Sequence, residues 1–108
     1  MDAKIQSIHF DADTKLVEFI NEKTAKLEQY LGDIVDCEVF LKLDKNDNLE
    51  NKVVEIKLLI PGNDLFAKKQ CKTFEEATDQ CVSALRKQIV KYKDKVRSVH
   101  SKAAEKTV

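Results

Sequence analysis

The sequence predicts an α+β domain in the order β-α-β-β-β-α: one four-stranded mixed sheet with two helices packed on one face. Three observations lead there. Two stretches carry apolar residues at helical spacing, and the second of them is long. Between them, three consecutive stretches alternate with a period of two and are joined by short turn signals, as in a meander. One set of alternating positions is apolar and the other mostly polar, which suits a sheet covered by helices on a single face.

The first strand is read from Lys4 to Phe10, with Ile5, Ser7 and His9 on one side and Lys4, Gln6, Ile8 and Phe10 on the other; the pattern does not say which side is the core. Asp11-Ala12-Asp13-Thr14 offers helix caps. Leu16, Ile20, Thr24, Leu27 and Leu31 then share one helical stripe, and Gly32 is a natural C′ stop, so the first helix is expected from about Thr14 to Leu31. In the second strand Val35, Cys37, Val39, Leu41 and Leu43 point one way and Asp36, Glu38, Phe40 and Lys42 the other. A polar turn, Asp44-Lys45-Asn46-Asp47-Asn48, leads to the third strand. There Val54, Ile56, Leu58 and Ile60 face inward against Val53, Glu55, Lys57 and Leu59. Pro61-Gly62-Asn63-Asp64 is the strongest turn signal in the chain, and Leu65 to Lys72 makes the fourth strand. Thr73 and Glu76 form a capping box for the second helix, whose stripe is Phe74, Ala77, Cys81, Leu85, Ile89, Tyr92, Val96 and Val99. The helix joining the first two strands permits a parallel pairing between them.

A chain of 108 residues is sized for one domain, spanning 1–108, with an ordered part from about 3 to 98 and a polar tail at 99–108. With 43% hydrophobic and 35% charged residues, it reads as a folded domain with a heavily charged surface. No apolar run approaches the roughly 20 residues of a membrane span, and the N-terminus lacks the basic and apolar regions of a signal peptide. Three cysteines make no secreted disulfide framework, so the expected compartment is the reducing cytoplasm.

The formal net charge is zero, but the two halves differ. Residues 1–50 carry 6 lysines and 12 acids, a balance of −6; residues 51–108 carry 13 basic residues and 7 acids, a balance of +6. Such asymmetry points to a polyanionic partner, although a solvated helix face would also account for a single lysine-rich helix. At 100° per residue Arg86, Lys93 and Arg97 form one row beside the apolar stripe, Lys87 and Lys91 a second, and Lys95 with Lys102 a third on the opposite flank. Offsetting the helix macrodipole explains one or two of these cations, not six within the twelve residues from Arg86 to Arg97. Phosphate neutralisation is the simplest reason for the surplus. On the first helix, Lys23 lies near the edge of the core stripe, with Lys26 and Tyr30 on the same flank beside Phe19. It reads either as a functional cation or as a snorkelling lysine.

Two of these stretches carry a family resemblance. Glu22-Lys23-Thr24-Ala25-Lys26-Leu27-Glu28-Gln29-Tyr30 resembles the first-helix pattern, and Leu85-Arg86-Lys87-Gln88-Ile89-Val90-Lys91-Tyr92-Lys93-Asp94-Lys95 the second-helix pattern, of the ribosome hibernation-promoting factors, also called ribosome-associated inhibitors or sigma-54 modulation proteins. Leu65-Phe66-Ala67, followed by a short basic strand and a helix with an early alanine, fits as well. The resemblance runs from Lys4 to Lys95 and rests on the element order together with both basic helices. It implies a protein that binds the decoding channel of the small ribosomal subunit, between head and body, and blocks messenger RNA and tRNA. It implies that Lys23, Lys26, Lys87, Lys91 and Lys93 contact 16S rRNA phosphates; the charge map adds Arg86, Lys95, Arg97 and, on the outer face of the fourth strand, Lys68. Thr24 stands where the family usually has an aliphatic residue. Ending at residue 108, the sequence reads as a short form without the second, dimerising domain, which leaves open a separate helper factor for ribosome pairing.

Other classes are less well supported. There is no glycine-rich phosphate loop, no nucleophile–histidine–acid pattern and no paired metal-ligand spacing, so no catalysis, metal, cofactor, membrane or small-molecule substrate is expected. Cys37 and Cys81 fall on apolar faces as small hydrophobes, and Cys71 is read as either a third or a sheet-edge residue. Two alternatives remain. One is a generic double-stranded RNA-binding module, which shares the three antiparallel strands followed by a helix. The other is a protein-interaction module using Phe40, Val53 and Leu59 on the outer sheet face.

Overall fold

The order of elements is that of the sequence reading: β1 (Lys4–Ser7), α1 (Thr14–Ala25), β2 (Asp36–Leu43), β3 (Lys52–Ile60), β4 (Asn63–Cys71) and α2 (Phe74–Lys106). The structure is a computed structural model; it describes residues 3–8, 10–44 and 49–106, with side chains as far as Lys95. His9 and residues 45–48 of the expected turn lie outside the described residues, as do the side chains of Val96, Arg97, Val99 and Lys102.

The four strands lie in the order β1-β2-β3-β4. β1 pairs parallel with β2, Ile5 opposite Val39, and the other two pairings are antiparallel. This register settles the side of β1 left open by its sequence: Ile5 lies with buried Val39 on the helix-covered face. That face supplies Cys37, Val39, Leu41, Val54, Ile56 and Leu58, each fully buried, beneath Leu16, Ile20 and Leu27 from the first helical stretch and Ala77, Cys81, Leu85 and Ile89 from α2. Cys71 belongs to the same core.

Local chemistry fixes the ends. The Asp13 carboxylate accepts from the Leu16 backbone N–H at 2.7 Å and caps α1. Thr73 Oγ1 accepts from the Glu76 N–H at 3.1 Å and caps α2, making half of the expected box. Pro61 and Gly62 form the two-residue link between Ile60 and Asn63; Gly62 has φ of 76°, the left-handed value that a type II turn requires after proline.

The structure differs from the sequence reading at several ends. The first helix stops at Ala25 and tightens into a 3-10 turn over Lys26–Gln29, with the N–H groups of Tyr30 and Leu31 both bonded to the Leu27 carbonyl. Gly32 is therefore not a left-handed cap; the narrower turn ends the helix instead. Val35 and Leu43, expected inward, are 70% and 44% exposed: Val35 falls just before β2 and Leu43 is its last residue, beyond the reach of the helices. Val53, expected outward, is buried between Lys42 and Gln70 in the register, while the Gln70 amide reaches across to Asp44 and the Glu50 carbonyl. α2 continues to Lys106: after Gly62 the chain has neither glycine nor proline, and Ala103-Ala104-Glu105-Lys106 are strong helix formers. The outer face carries no patch made by Phe40, Val53 and Leu59. Its exposed aromatic is Phe66, beside the ion pairs Lys42–Glu55 and Lys57–Asp64.

Candidate nucleic-acid interface

A helix laid on a sheet with one stripe buried must show its opposite side to solvent, and in α2 that side is basic. Leu85 and Ile89 are fully buried, which turns Arg86, Lys87, Lys91, Lys93 and Lys95 outward; all five are exposed. None of the five makes an ion pair among the described residues. Asp94 is the only carboxylate in that stretch. Ser83, Arg86, Lys87, Val90 and Lys91 border a shallow concavity of about 430 Å³, in which Val90 is 49% exposed among the cations.

Two contacts join this face to the first helix. The Arg86 guanidinium lies over the Tyr30 ring, 4.8 Å from its centre, a cation on an aromatic face. Lys26, one turn before Tyr30, is exposed. Lys23 does more than snorkel: its ammonium is 3.2 Å from Asp79 of α2 and 5.4 Å from the centre of the Phe19 ring. The lysine thus has an acid beside it within the protein, at the surface between the two helices. The structure brings Lys23, Lys26, Arg86, Lys87, Lys91 and Lys93 to the helical side of the molecule, with Lys95 further along α2. Lys68 stands apart, on the sheet face that the helices leave uncovered, in the row of Phe40 and Glu55.

One cation escaped the sequence reading. Lys69 follows Leu65 and Ala67 on the inward set of β4, opposite buried Val54, but β4 is the edge strand and Lys69 emerges beside α2. There it borders a second groove, of about 470 Å³, with Lys87, Lys91 and the side chains of Gln80, Ser83 and Gln88. The signal was available: the alternation that puts Ala67 inward puts Lys69 on the same side.

Burial pushes the thiols of Cys37 and Cys81 up to about 12, so both stay protonated at neutral pH, and Cys81 donates weakly to the Val54 carbonyl. Among the described residues no three His, Cys, Asp or Glu side chains are grouped to hold a metal ion, and no helix is long and apolar enough to cross a membrane.

Comparison with known proteins agrees with this arrangement of two helices on a mixed sheet. Residues 3–97 match the family described as sigma 54 modulation protein / S30EA ribosomal protein. The chain belongs to this family. Within it, the chain is similar to the ribosome hibernation promoting factor of Pseudomonas putida, 30% identical over 104 residues that cover 96% of this chain and 98% of that protein. It is similar as well to the ribosome hibernation promoting factor of Escherichia coli, 30% identical over 82 residues, 76% of this chain and 82% of that one. Among solved structures, a ribosomal subunit interface protein from Coxiella burnetii superposes with a TM-score of 0.77 over 87% of this chain and 99% of that one. At 19% identity that likeness speaks for the S30EA fold.

Proposed function

We propose that this S30EA protein is a ribosome hibernation factor of the cytoplasm. It occupies the decoding channel of the small ribosomal subunit with its two basic helices, keeps out messenger RNA and tRNA, and so inhibits translation. The observation that carries the reading is the set of exposed cations around the solvent side of α2, Arg86, Lys87, Lys91, Lys93 and Lys95, none answered by an acid among the described residues. Arg86 is tied through Tyr30 to the end of the first helical stretch, which joins the two helices at that point. Family membership and the names of the relatives support the same role. Arg97 is a further contact in this reading, from its place in the sequence.

The mechanism needs no bond-making. Folded RNA is recognised largely by shape and backbone contacts, and each phosphate neutralised by a lysine or arginine releases counterions. A rigid domain with several cations on one side gains affinity from the walls of the channel and excludes other ligands by its bulk. The test is co-sedimentation of the purified protein with vacant small subunits, with messenger RNA and initiator tRNA as competitors. Stoichiometric binding that the competitors displace is expected. Binding that they leave untouched, or no binding at all, would overturn channel occupancy; indifferent binding to any long duplex would favour a generic RNA-binding module.

A further inference from the structure

We infer that the groove between α2 and the β4 edge is a second track for an RNA backbone, with Lys69 as a binding residue beside Lys87 and Lys91. This rests on the ribosome-binding reading and extends its footprint around α2 to the sheet edge.

The groove is built from two elements. Lys87 and Lys91 stand one helical turn apart on α2, about 6 Å along its axis. Lys69 faces them from β4, and Gln80, Ser83 and Gln88 fill the intervals. The lining thus holds three cations and three neutral polar side chains, and no carboxylate. A lysine on the inward set of an edge strand can serve merely to discourage pairing with another sheet. That role does not call for two further lysines across the groove, and mutual repulsion among three ammonium groups costs energy unless an anion lies between them. The edge is also protected by other means: the Gln88 amide donates to the Phe66 carbonyl at 2.8 Å and closes that part of β4. The same bond fixes α2 to the strand, so the groove is already shaped before any ligand arrives, which lowers the ordering cost of binding. A phosphodiester backbone suits this lining: it brings one negative charge per nucleotide, and its oxygens accept from ammonium, amide and hydroxyl donors alike.

Lys68 and Lys69 provide an internal comparison, since adjacent residues of β4 point to opposite faces of the sheet. The experiment measures equilibrium binding to purified small subunits across a salt series for the parent protein, Lys69→Gln, Lys69→Arg, Lys68→Gln and Lys87→Gln. Lys69 is exposed, and thermal unfolding of each variant confirms that its fold is intact. If Lys69 neutralises one phosphate, Lys69→Gln makes the log–log salt slope shallower by about 0.7–0.9, which at 0.1 M salt is a loss of about five- to eight-fold. Lys69→Arg retains binding, and Lys68→Gln, on the opposite face of the sheet, loses less than Lys69→Gln. Equal behaviour of Lys69→Gln and Lys68→Gln, with Lys87→Gln still weakened, would overturn the groove and leave the helical surface standing. Unaltered binding in Lys87→Gln as well would overturn both.

Discussion

Thr24 and Thr78 are both shut away from water, but only one of the two hydroxyls is bonded. Thr24 Oγ1 donates to the Ile20 carbonyl at 2.8 Å, one turn back, and also approaches the Asn21 carbonyl at 3.3 Å. That local bond lets a threonine fill a position suited to an aliphatic side chain, its methyl group packing like that of valine. Thr78 Oγ1 has no partner. A buried hydroxyl left unbonded costs about 1–3 kcal/mol, while valine has the same shape and a similar helix propensity. Thr78→Val is therefore expected to raise stability by about 1 kcal/mol, seen as a higher urea midpoint at unchanged slope. Thr24→Val should stay near neutral in the same measurement, because it gives up a bonded hydroxyl. A Thr78→Val midpoint equal to or below that of the parent would contradict the unpartnered hydroxyl.

At the scale of elements, the two helices are coupled by contacts that neither contains alone. Helical spacing puts Arg86 beside the core stripe of α2, where it lies, and Tyr30 on the flank of the first helix, whereas Tyr30 stands just after the 3-10 turn that ends it. Their meeting was not legible, since it depends on how the helices lie across the sheet. The same is true of Lys23 and Asp79: along the sequence Lys23 counts as a free cation, and only the packed pair shows an acid beside it. Lys69 is the opposite case: strand alternation puts it on the inward side of β4, and only the edge position of that strand, which the sequence does not show, lets the cation emerge. The Arg86–Tyr30 stack has a measurable role if it holds the guanidinium ready for RNA. A cation over a ring near the surface is worth about 0.5–1 kcal/mol, and leucine keeps the partly buried packing of Tyr30, so Tyr30→Leu is expected to weaken small-subunit binding by about two- to five-fold. Because Arg86 keeps its charge, the salt slope should not change. Tyr30→Phe, which keeps the ring, should bind like the parent. A loss in Tyr30→Phe equal to that in Tyr30→Leu would assign the effect to the phenol hydroxyl instead of the stack.

For the whole molecule, the period-two and period-3.6 patterns were enough to assemble the sheet and both helices, because each buried stripe has one matching layer to cover it. They failed at strand ends, where Val35 and Leu43 keep the alternation but lose their cover. The result is a single core shared by the sheet and the helices, and three of its members are ionisable thiols, Cys37, Cys71 and Cys81. Cys37 and Cys81 are fully buried, and burial raises both thiols from an ordinary value of 9.0 to about 12. In the unfolded chain they ionise near 9.0; in the folded chain they hold their protons until about 12. The stabilisation is thus complete below pH 9 and is lost as pH rises from there toward 12. Within that window each thiol lowers stability by about 1.4 kcal/mol per pH unit. Urea midpoints measured from pH 7 to pH 10 are expected to hold steady to about pH 9 and then fall. Replacing both residues, Cys37→Ala with Cys81→Ala, starts from a lower midpoint because of the cavities but should flatten the alkaline decline. Since one core holds both thiols, alkylation at pH 8 should be negligible in the folded protein and should appear at Cys37 and Cys81 together across the urea transition. Labelling of either thiol well before the other would show that β2 and α2 open separately.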